Sequence, residues 1–198
     1  MGIDPAPFWA NLYLHHYEEK FMKELIKSNP GTALQYRHAS RFIDDQGNLN
    51  DNGEFGLSCH SIYPKELEVK CEHQGSAASF LEMHINIIDG EFVYKLFDKR
   101  DNFPFDIVRM PNLNGNIPEH VFYGSFLAEV LRIGRATLRY QDFLPRVTKL
   151  YVRMQNQGGS SKKLLQQVTK VVSKYSETFR KYNKSNSQIV GDISKTGN

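Results

Sequence analysis

Cysteine is scarce in this sequence, and apolar runs long enough to cross a membrane are missing from it. The 198 residues include two cysteines, Cys59 and Cys71, which are too few for a disulfide framework and fit a reducing compartment. The first residues are not a basic segment followed by an apolar one, so they do not form a signal peptide. We therefore expect an intracellular protein, nuclear or cytoplasmic, with no membrane partner.

Each cysteine has a histidine close by, which raises the question of zinc. Cys59 directly precedes His60, and Cys71 is followed by His73 after one residue. Structural zinc sites repeat a paired spacing of ligands, and neither pair shows it. Cys71 also ends an alternating segment that predicts a strand, Leu67–Cys71. The spacing therefore disfavours a zinc site.

Charge is distributed unevenly between the two halves. Residues 1–98 contain 8 Lys or Arg against 15 Asp or Glu, a net charge of −7. Residues 99–198 contain 17 against 7, a net charge of +10. A basic surface of this size is typical of proteins that bind nucleic acid, but lysine-rich helices are also often just solvated faces. Both interpretations stay open on charge alone.

An acidic pair follows an apolar pair in Arg41-Phe42-Ile43-Asp44-Asp45-Gln46. This run predicts a short strand that ends in a turn exposing Asp44 and Asp45, and carboxylate oxygens of this kind are ligands for Mg²⁺. Acidic pairs also occur as solvated turn residues. Gln46-Gly47-Asn48 follows, and Gly and Asn are poor strand formers, so the second arm of the predicted hairpin is expected to be weak.

Composition and periodicity predict the remaining elements of a single globular domain, with or without an appendage. A helix is expected from about residue 7 to residue 28, with the aromatic stripe of Trp9 and Tyr13 in the core. Strands are expected at Leu34–Tyr36, at Ser79–Ile88 and at Glu91–Phe97, the last two joined by the hairpin signal Asp89-Gly90. A short helix is expected within residues 50–62.

Helices dominate the prediction for the basic half. The first runs from about residue 118 to residue 141 and places Arg132, Arg135 and Arg139 on one face. The next carries Arg146, Lys149 and Arg153. After a flexible break at residues 156–161, an apolar stripe predicts a third, lysine-rich helix that contains Leu164, Leu165, Val168, Val171, Val172, Tyr175 and Phe179. The polar residues 184–198 are expected to be disordered.

Three stretches together resemble the reverse transcriptases of retroelements, closest in style to Penelope-like and other non-LTR elements. They are the Gly/Pro turn and Ala-Asn within Met1–Leu12, the Phe-x-Asp-Asp of Phe42–Asp45, and Phe80–Ile85. Their order and spacing match the family through about Tyr182. The resemblance implies an α+β fold: a truncated polymerase palm, in which a long helix packs on a small antiparallel sheet, followed by a helical thumb.

The resemblance also implies roles for individual residues. Asp44 and Asp45 would be catalytic and would hold Mg²⁺ or Mn²⁺. The nucleotide and template pocket would be formed by Gly2, Pro7, Phe8, Ala10, Asn11 and Phe42. The primer grip would be formed by Phe80, Leu81, Glu82, Met83 and Ile85. The nucleic-acid backbone would be held by Arg132, Arg135, Arg139, Arg146, Lys149 and Arg153. The implied partners are an RNA or DNA template-primer and deoxynucleoside triphosphates.

The implied division is a partial palm at residues 1–98, a connector at 99–117, a basic thumb-like subdomain at 118–183 and a disordered tail at 184–198. Nucleotidyl transfer uses two Mg²⁺ ions held by carboxylates. In the family a further Asp comes from an earlier strand, and this sequence begins at the third conserved block; Asp4 lies at the wrong place to replace it. We therefore expect a polymerase fragment that is inactive without an N-terminal palm and fingers portion. The alternatives are a non-catalytic nucleic-acid-binding remnant and a fragment with no independent role.

Overall fold

The protein is described by a computed structural model that covers residues 5–49, 53–105, 107 and 110–196. It divides into two compact units, Met1–Leu81 and Glu82–Asn198. Both units combine helices with short antiparallel strands, so the predicted α+β class is confirmed. None of the helices in these ranges is both long enough and apolar enough to span a bilayer.

Helices and a hairpin make up the first unit. In chain order the elements are α1 (Ala6–Ser28), α2 (Pro30–Gln35), a 3₁₀ turn (Tyr36–His38), β1 (Ala39–Phe42), β2 (Asp45–Asn48), α3 (Glu54–Ile62) and β3 (Ala77–Phe80). The predicted helices at 7–28 and within 50–62 are confirmed. The predicted strand at Leu34–Tyr36 is wrong, because Pro30 takes the first position of α2 and the Asn29 side chain caps it by accepting a hydrogen bond from the Thr32 amide.

The core of the first unit is small. Its buried residues Tyr36, Phe55 and Cys59 pack against the partly buried Phe21, Met22 and Leu25 of α1. Core packing was predicted for Trp9 and Tyr13, but their side chains are 60% and 51% exposed. The prediction was wrong because the aromatic stripe continues beyond the part of α1 that contacts this cluster. Leu67–Cys71 is also not a strand, although Val69 packs against the cluster.

The second unit begins with a hairpin and continues as helices. Strands β4 (Met83–Ile88) and β5 (Glu91–Leu96) pair through the predicted Asp89-Gly90 turn, in which both residues have positive φ. A 3₁₀ turn at Lys99–Asn102 follows. The helices are α4 (Glu119–Ala136), α5 (Tyr140–Asn156), α6 (Ser161–Lys174), α7 (Ser176–Arg180) and α8 (Asn186–Thr196).

The main core of the protein lies among these helices. Side chains with no exposed surface come from α4 (Phe122, Phe126, Val130), α5 (Phe143, Val147, Met154), α6 (Leu164, Val168, Val171, Val172) and α8 (Ile189, Ile193). The apolar stripe predicted for the third helix is confirmed as a core face over α6, but the single helix is wrong at Tyr175, where α6 ends, and the buried Phe179 belongs to α7. The disorder predicted for residues 184–198 is wrong for residues 186–196, since Ile189 and Ile193 anchor α8 in this core.

The break between α4 and α5 comes earlier than predicted. Thr137 is extended, and its hydroxyl accepts a hydrogen bond from the Leu96 amide of β5 at 3.4 Å. The Leu138 amide donates to the Tyr94 carbonyl at 2.9 Å. These bonds to β5 compete with continuation of the helix, so α4 ends at Ala136. Arg139 caps the start of α5 and does not share a helix face with Arg132 and Arg135.

Candidate functional site

The Asp-Asp hairpin, residues Ala39–Asn48, presents the acidic pair at a tight turn. Strands β1 and β2 pair over four residues, from Ala39 with Asn48 to Phe42 with Asp45. Two residues, Ile43 and Asp44, form the loop, and Asp45 opens β2. The side chains of Asp44 and Asp45 are exposed. The predicted turn with two exposed carboxylates is confirmed, but it begins one residue earlier than expected: Ile43 belongs to the loop and Asp45 to β2.

Backbone strain marks this turn. Ile43 has a φ of 56°, in the left-handed region where a β-branched residue is disfavoured. Two-residue hairpin loops need positive φ at their first position, which is normally supplied by Gly, Asn or Asp. A strained backbone persists only where surrounding contacts hold it, and such strain is concentrated at functional sites.

The second strand of the hairpin, which contains Gln46-Gly47-Asn48 and was expected to pair weakly, is paired with β1 along its whole length. The reason is the position of Gly47, which faces the ring of Phe80. A Cβ atom built on Gly47 would lie 3.2 Å from Phe80 Cδ2, closer than ordinary van der Waals contact. Gly47 thus allows an aromatic ring to cover the strand, and packing compensates for its low strand propensity.

Arg41 holds the hairpin to α1. Its Nε donates to Glu18 Oε1 at 2.5 Å, and its Nη1 donates to Asn11 Oδ1 at 2.6 Å. The same Nη1 donates to the Ile43 carbonyl at 3.1 Å, which belongs to the strained turn. The guanidinium is 13% exposed and the Glu18 side chain 23%, so this is a largely desolvated ion pair. We call Asn11, Glu18, Arg41 and Tyr63 the Arg41 brace.

Tyr63 completes the brace from the residue that follows α3. Its hydroxyl donates to Glu18 Oε1 at 2.6 Å and accepts from Gln46 Nε2 at 2.9 Å. Burial raises the pKa of the Glu18 carboxyl, but the hydrogen bonds from Arg41 and Tyr63 outweigh burial and lower that pKa below its usual range. Burial and the bond to Glu18 raise the pKa of Tyr63. Glu18 is therefore a charged anchor beneath the hairpin at neutral pH.

The residues expected to line a nucleotide pocket separate into three groups. Gly2 lies outside the described residues. Pro7, Phe8 and Ala10 are exposed on the first turns of α1, and Phe42 is 56% exposed. Phe42 belongs to the hairpin itself, and Asn11 is tied to the hairpin through Arg41.

The residues expected to form the primer grip do not form one strand. Phe80 ends β3, and Leu81 has a φ of 55° that breaks the extended backbone. The five residues therefore fall in different units: Phe80 and Leu81 in the first, Glu82, Met83 and Ile85 in the second. Met83 packs against the core of the second unit, and Glu82 forms an ion pair with Arg132. The continuous strand predicted at Ser79–Ile88 is wrong at Leu81 and Glu82.

The basic residues expected to hold phosphate are largely paired with carboxylates. Arg132 Nε donates to Glu129 Oε2 at 2.8 Å, and its Nη1 lies 3.1 Å from Glu82 Oε1. The hydrogen bond to Glu129 raises the pKa of Arg132 further. On α5, Arg146 and Lys149 both face Asp101, at 2.5 and 3.8 Å. These side chains are not a free cationic face.

Arg135 and Arg139 differ from that group because both are exposed. The Arg135 guanidinium lies 5.7 Å from the centroid of the Tyr175 ring, a cation–π distance. Arg153 is half-buried on α5.

A row of lysines on α6 carries much of the exposed positive charge. Lys162, Lys170 and Lys174 are exposed on the side opposite the buried Leu164, Val168 and Val171, and we call these three the lysine stripe. Within the part of the chain that the structure describes, no ion pair joins Lys162 or Lys170 to a carboxylate. The sequence analysis noted lysines on this helix without assigning them a role. Their spacing of eight and four residues was the available signal.

The acidic pair can hold a metal ion only as part of a larger ligand set. Mg²⁺ requires near-octahedral oxygen ligation and usually keeps several waters. Over residues 5–49, 53–105, 107 and 110–196, no group of three His, Cys, Asp or Glu side chains is placed to bind a metal ion. Asp44 and Asp45 can thus supply two oxygens from exposed positions. The Arg41 brace, which the sequence analysis missed, fixes the turn that carries them.

Comparison of the chain with protein family models, with curated proteins and with solved structures found no match. The resemblance to reverse transcriptases therefore rests on the three stretches of sequence that suggested it. The geometry of the Asp-Asp hairpin is an independent observation.

Proposed function

We propose that the chain is part of an RNA-directed DNA polymerase of the reverse transcriptase class, with the first unit contributing palm elements and the helices of the second a thumb. The observation that carries this proposal is the Asp-Asp hairpin: a strained two-residue turn that exposes adjacent carboxylates and is held by a desolvated ion pair. A solvated turn without a function has no need of a β-branched residue at positive φ. The brace gives the turn a fixed shape, as metal-ion catalysis requires.

In this proposal Asp44 and Asp45 bind Mg²⁺ or Mn²⁺, with the remaining ligand charge supplied from outside the described residues. Two carboxylates and water hold Mg²⁺ weakly, because the ion gives up its hydration shell reluctantly. The isolated chain is therefore expected to bind Mg²⁺ only at millimolar concentrations and not to extend primers. Its template-primer and triphosphate partners belong to the assembled enzyme.

A titration of the full chain with Mn²⁺ tests the metal ligands. Paramagnetic broadening in an NMR spectrum should be strongest for the amides of residues 43–46 and should fall sharply in Asp44→Asn and Asp45→Asn. Asp89→Asn is the matched control, since Asp89 is also an exposed hairpin-turn carboxylate with positive φ. Equal broadening at both hairpins, or no change in the Asp44 variant, would reject the metal assignment.

A second candidate function is non-catalytic nucleic-acid binding, and the lysine stripe favours it. A row of exposed cations on a rigid helix suits a phosphate backbone, which is recognised mainly by charge. Duplex binding by this route does not require Asp44 or Asp45.

The salt dependence of duplex binding tests the lysine stripe as the binding surface. Substituting Ala for Lys162, Lys170 and Lys174 together should reduce the slope of log affinity against log salt by about 2 to 3, because each phosphate contact releases counterions. The matched control replaces the three lysines of α1, Lys20, Lys23 and Lys27, which should change the slope little. A larger effect from α1 than from α6 would remove the lysine stripe as a binding surface.

A further inference from the structure

The second unit contains a cleft that the sequence did not predict, although three of the basic residues expected to hold a nucleic-acid backbone, Arg146, Lys149 and Arg153, line it. Its volume is about 450 Å³, and it lies among the end of β5, the 3₁₀ turn at Lys99–Asn102, α4 and α5. Pockets of about 300 to 1,000 Å³ are typical of small-ligand sites. The floor is apolar, with Leu96, Ile133 and Leu150, and the walls carry charged and aromatic side chains. The cleft therefore has an apolar floor and polar walls, as small-ligand sites do.

Arg100 provides the first specific feature of the cleft. Its Nε donates to both oxygens of Asp98, at 2.7 and 3.0 Å, and its Nη2 also contacts Asp98. Its Nη1 is buried and has no hydrogen-bond acceptor among the described residues. A buried guanidinium nitrogen without an acceptor is unfavourable and rare in folded proteins. Arg100 lines the cleft, so an anion bound there would lie beside a guanidinium whose hydrogen-bonding capacity Asp98 does not fill.

Charge in the cleft favours one negative group. Among the described residues, four basic side chains line it (Arg100, Arg146, Lys149, Arg153) and three acidic ones (Asp98, Asp101, Glu129), a formal net charge of +1. Lys149 is the basic group most open to solvent, with a side chain 61% exposed and an ion-pair distance of 3.8 Å to Asp101. It can turn from Asp101 to a bound anion at little cost, since exposed ion pairs at such distances are weak.

Two aromatic rings form the lip of the cleft. Phe103 and Phe105 are 50% and 61% exposed, and their ring centroids are 5.5 Å apart with planes tilted by 48°. Both belong to the segment that follows the 3₁₀ turn, with Pro104 between them. Exposed aromatic rings beside basic side chains are the arrangement by which proteins stack nucleic-acid bases while holding the phosphate.

We propose that this cleft binds a nucleotide, with its base against Phe103 and Phe105 and its phosphate between Arg100 and Lys149. The positive excess among the described lining residues favours an anionic phosphate, which is a phosphodiester within a strand and a more highly charged monoester in a free nucleotide. The proposal goes beyond the polymerase function, because neither the Asp-Asp hairpin nor the lysine stripe takes part. Failure of either proposal leaves the other standing.

Binding to the full chain tests the proposal with four probes: AMP, adenosine, inorganic phosphate and a short single-stranded oligo-dA. Calorimetry and saturation-transfer NMR should show that AMP binds at least about tenfold more tightly than adenosine or phosphate alone, because the stacking and charge contributions each correspond to roughly a tenfold change. Tighter binding of the oligonucleotide than of AMP identifies a strand as the source of the nucleotide, and equal binding identifies the free nucleotide. Phosphate binding as tight as AMP would overturn the role of the rings.

Variants at exposed positions avoid confusion with misfolding. Lys149→Ala and Phe105→Leu should each weaken AMP about tenfold with unchanged thermal unfolding. The matched controls are Lys170→Ala, an exposed lysine outside the cleft, and Phe92→Leu, whose side chain is 49% exposed on β5. Equal affinity in all four variants, or no AMP binding at millimolar concentration, would refute the nucleotide site.

Discussion

Replacing Arg41 with methionine removes the guanidinium that joins α1 to the Asp-Asp hairpin while keeping a side chain of similar length. The variant loses two hydrogen bonds to Glu18, two to Asn11 and one to the Ile43 carbonyl. Glu18 then stays largely buried as an anion with the Tyr63 hydroxyl as its remaining neutral donor in the brace. Removing one partner of a buried ion pair lowers the free energy of unfolding by about 3 to 5 kcal/mol. Removing one partner of an exposed ion pair lowers it by less than about 1 kcal/mol.

The partial exposure of Arg41 and Glu18, 13% and 23%, places this pair nearer the buried case. We expect Arg41→Met to reduce the free energy of unfolding of the first unit by about 3 kcal/mol at neutral pH. Glu18→Gln combined with Arg41→Met should cost about 1 to 2 kcal/mol less than the sum of the single changes, because the double variant leaves no unpaired charge.

The cost should also depend on pH, with a sign that follows from the pKa of Glu18. Arg41 lowers that pKa, so its stabilising effect is present above the ordinary glutamate pKa and disappears as the carboxyl is protonated. Without Arg41, burial raises the pKa of Glu18, and the variant is destabilised as pH rises. The difference between wild type and Arg41→Met should therefore shrink on going from pH 7 to about pH 4.

Hydrogen exchange of the amides in β1 and β2 measures this loss within the first unit, and urea unfolding followed by circular dichroism measures it for the chain. Arg37→Met is the matched control, because Arg37 is exposed and donates only to His38 among the described residues. A loss of less than about 1 kcal/mol in Arg41→Met, which is the value for a surface pair, would refute the brace. So would a loss that is the same at both pH values.

Two further predictions concern the second unit. Gly134→Ala should lower the free energy of unfolding in urea by about 1 to 3 kcal/mol, because the new Cβ would lie 2.7 Å from Phe179 Cε1. Gly124→Ala on the same helix is the control: its Cβ meets no atom within 4 Å, so it should raise the free energy of unfolding by about 0.5 to 1 kcal/mol. The reverse order of the two variants would refute the packing argument. The hydrogen bonds from Arg100 lower the pKa of Asp98 to about 2. The wild type should therefore be more stable than Asp98→Asn by about 1 kcal/mol after solvent screening at pH values above the ordinary aspartate pKa, and this difference should disappear as pH falls to about 2. A difference that stays constant over this range in acid unfolding would contradict the prediction.

Local signals explain the elements that the sequence predicted. The start and end of α1, the turn at Asp89-Gly90 and the buried stripe of α6 each depend on residues that are neighbours in the chain. The Asp44–Asp45 turn belongs to the same class, since apolar residues followed by carboxylates mark it. Such features need no knowledge of what lies across the fold.

Partners distant in sequence explain the errors. The early end of α4 depends on hydrogen bonds between Thr137 or Leu138 and β5, some forty residues earlier in the chain. The Arg41 brace depends on Glu18 and Tyr63, which lie on opposite sides of Arg41 in sequence. No local pattern distinguishes these residues from ordinary surface polar groups.

The error in the tail has a different cause. Residues 184–198 are polar on average, and average polarity predicts disorder. Two isoleucines four residues apart, Ile189 and Ile193, nevertheless lie on one face of a helix and are fully buried. Burying two such side chains gains about 3 to 6 kcal/mol of transfer free energy, enough to dock a short helix. The i, i+4 spacing was the signal, and composition concealed it.

Ion pairing within the second unit changes what its net charge implies about binding. Glu82 and Glu129 neutralise Arg132, and Asp101 neutralises Arg146, at short range, so these two arginines cannot approach a phosphate without losing an existing partner. The positive surplus is therefore available mainly at exposed side chains such as the lysine stripe. Because the opposite face of α6 is fully buried in the core, the stripe is held on a rigid backbone and loses little entropy on binding. If the proposed nucleic-acid binding holds, the phosphate backbone should lie along α6, with Arg132 and Arg146 stabilising the fold that supports it.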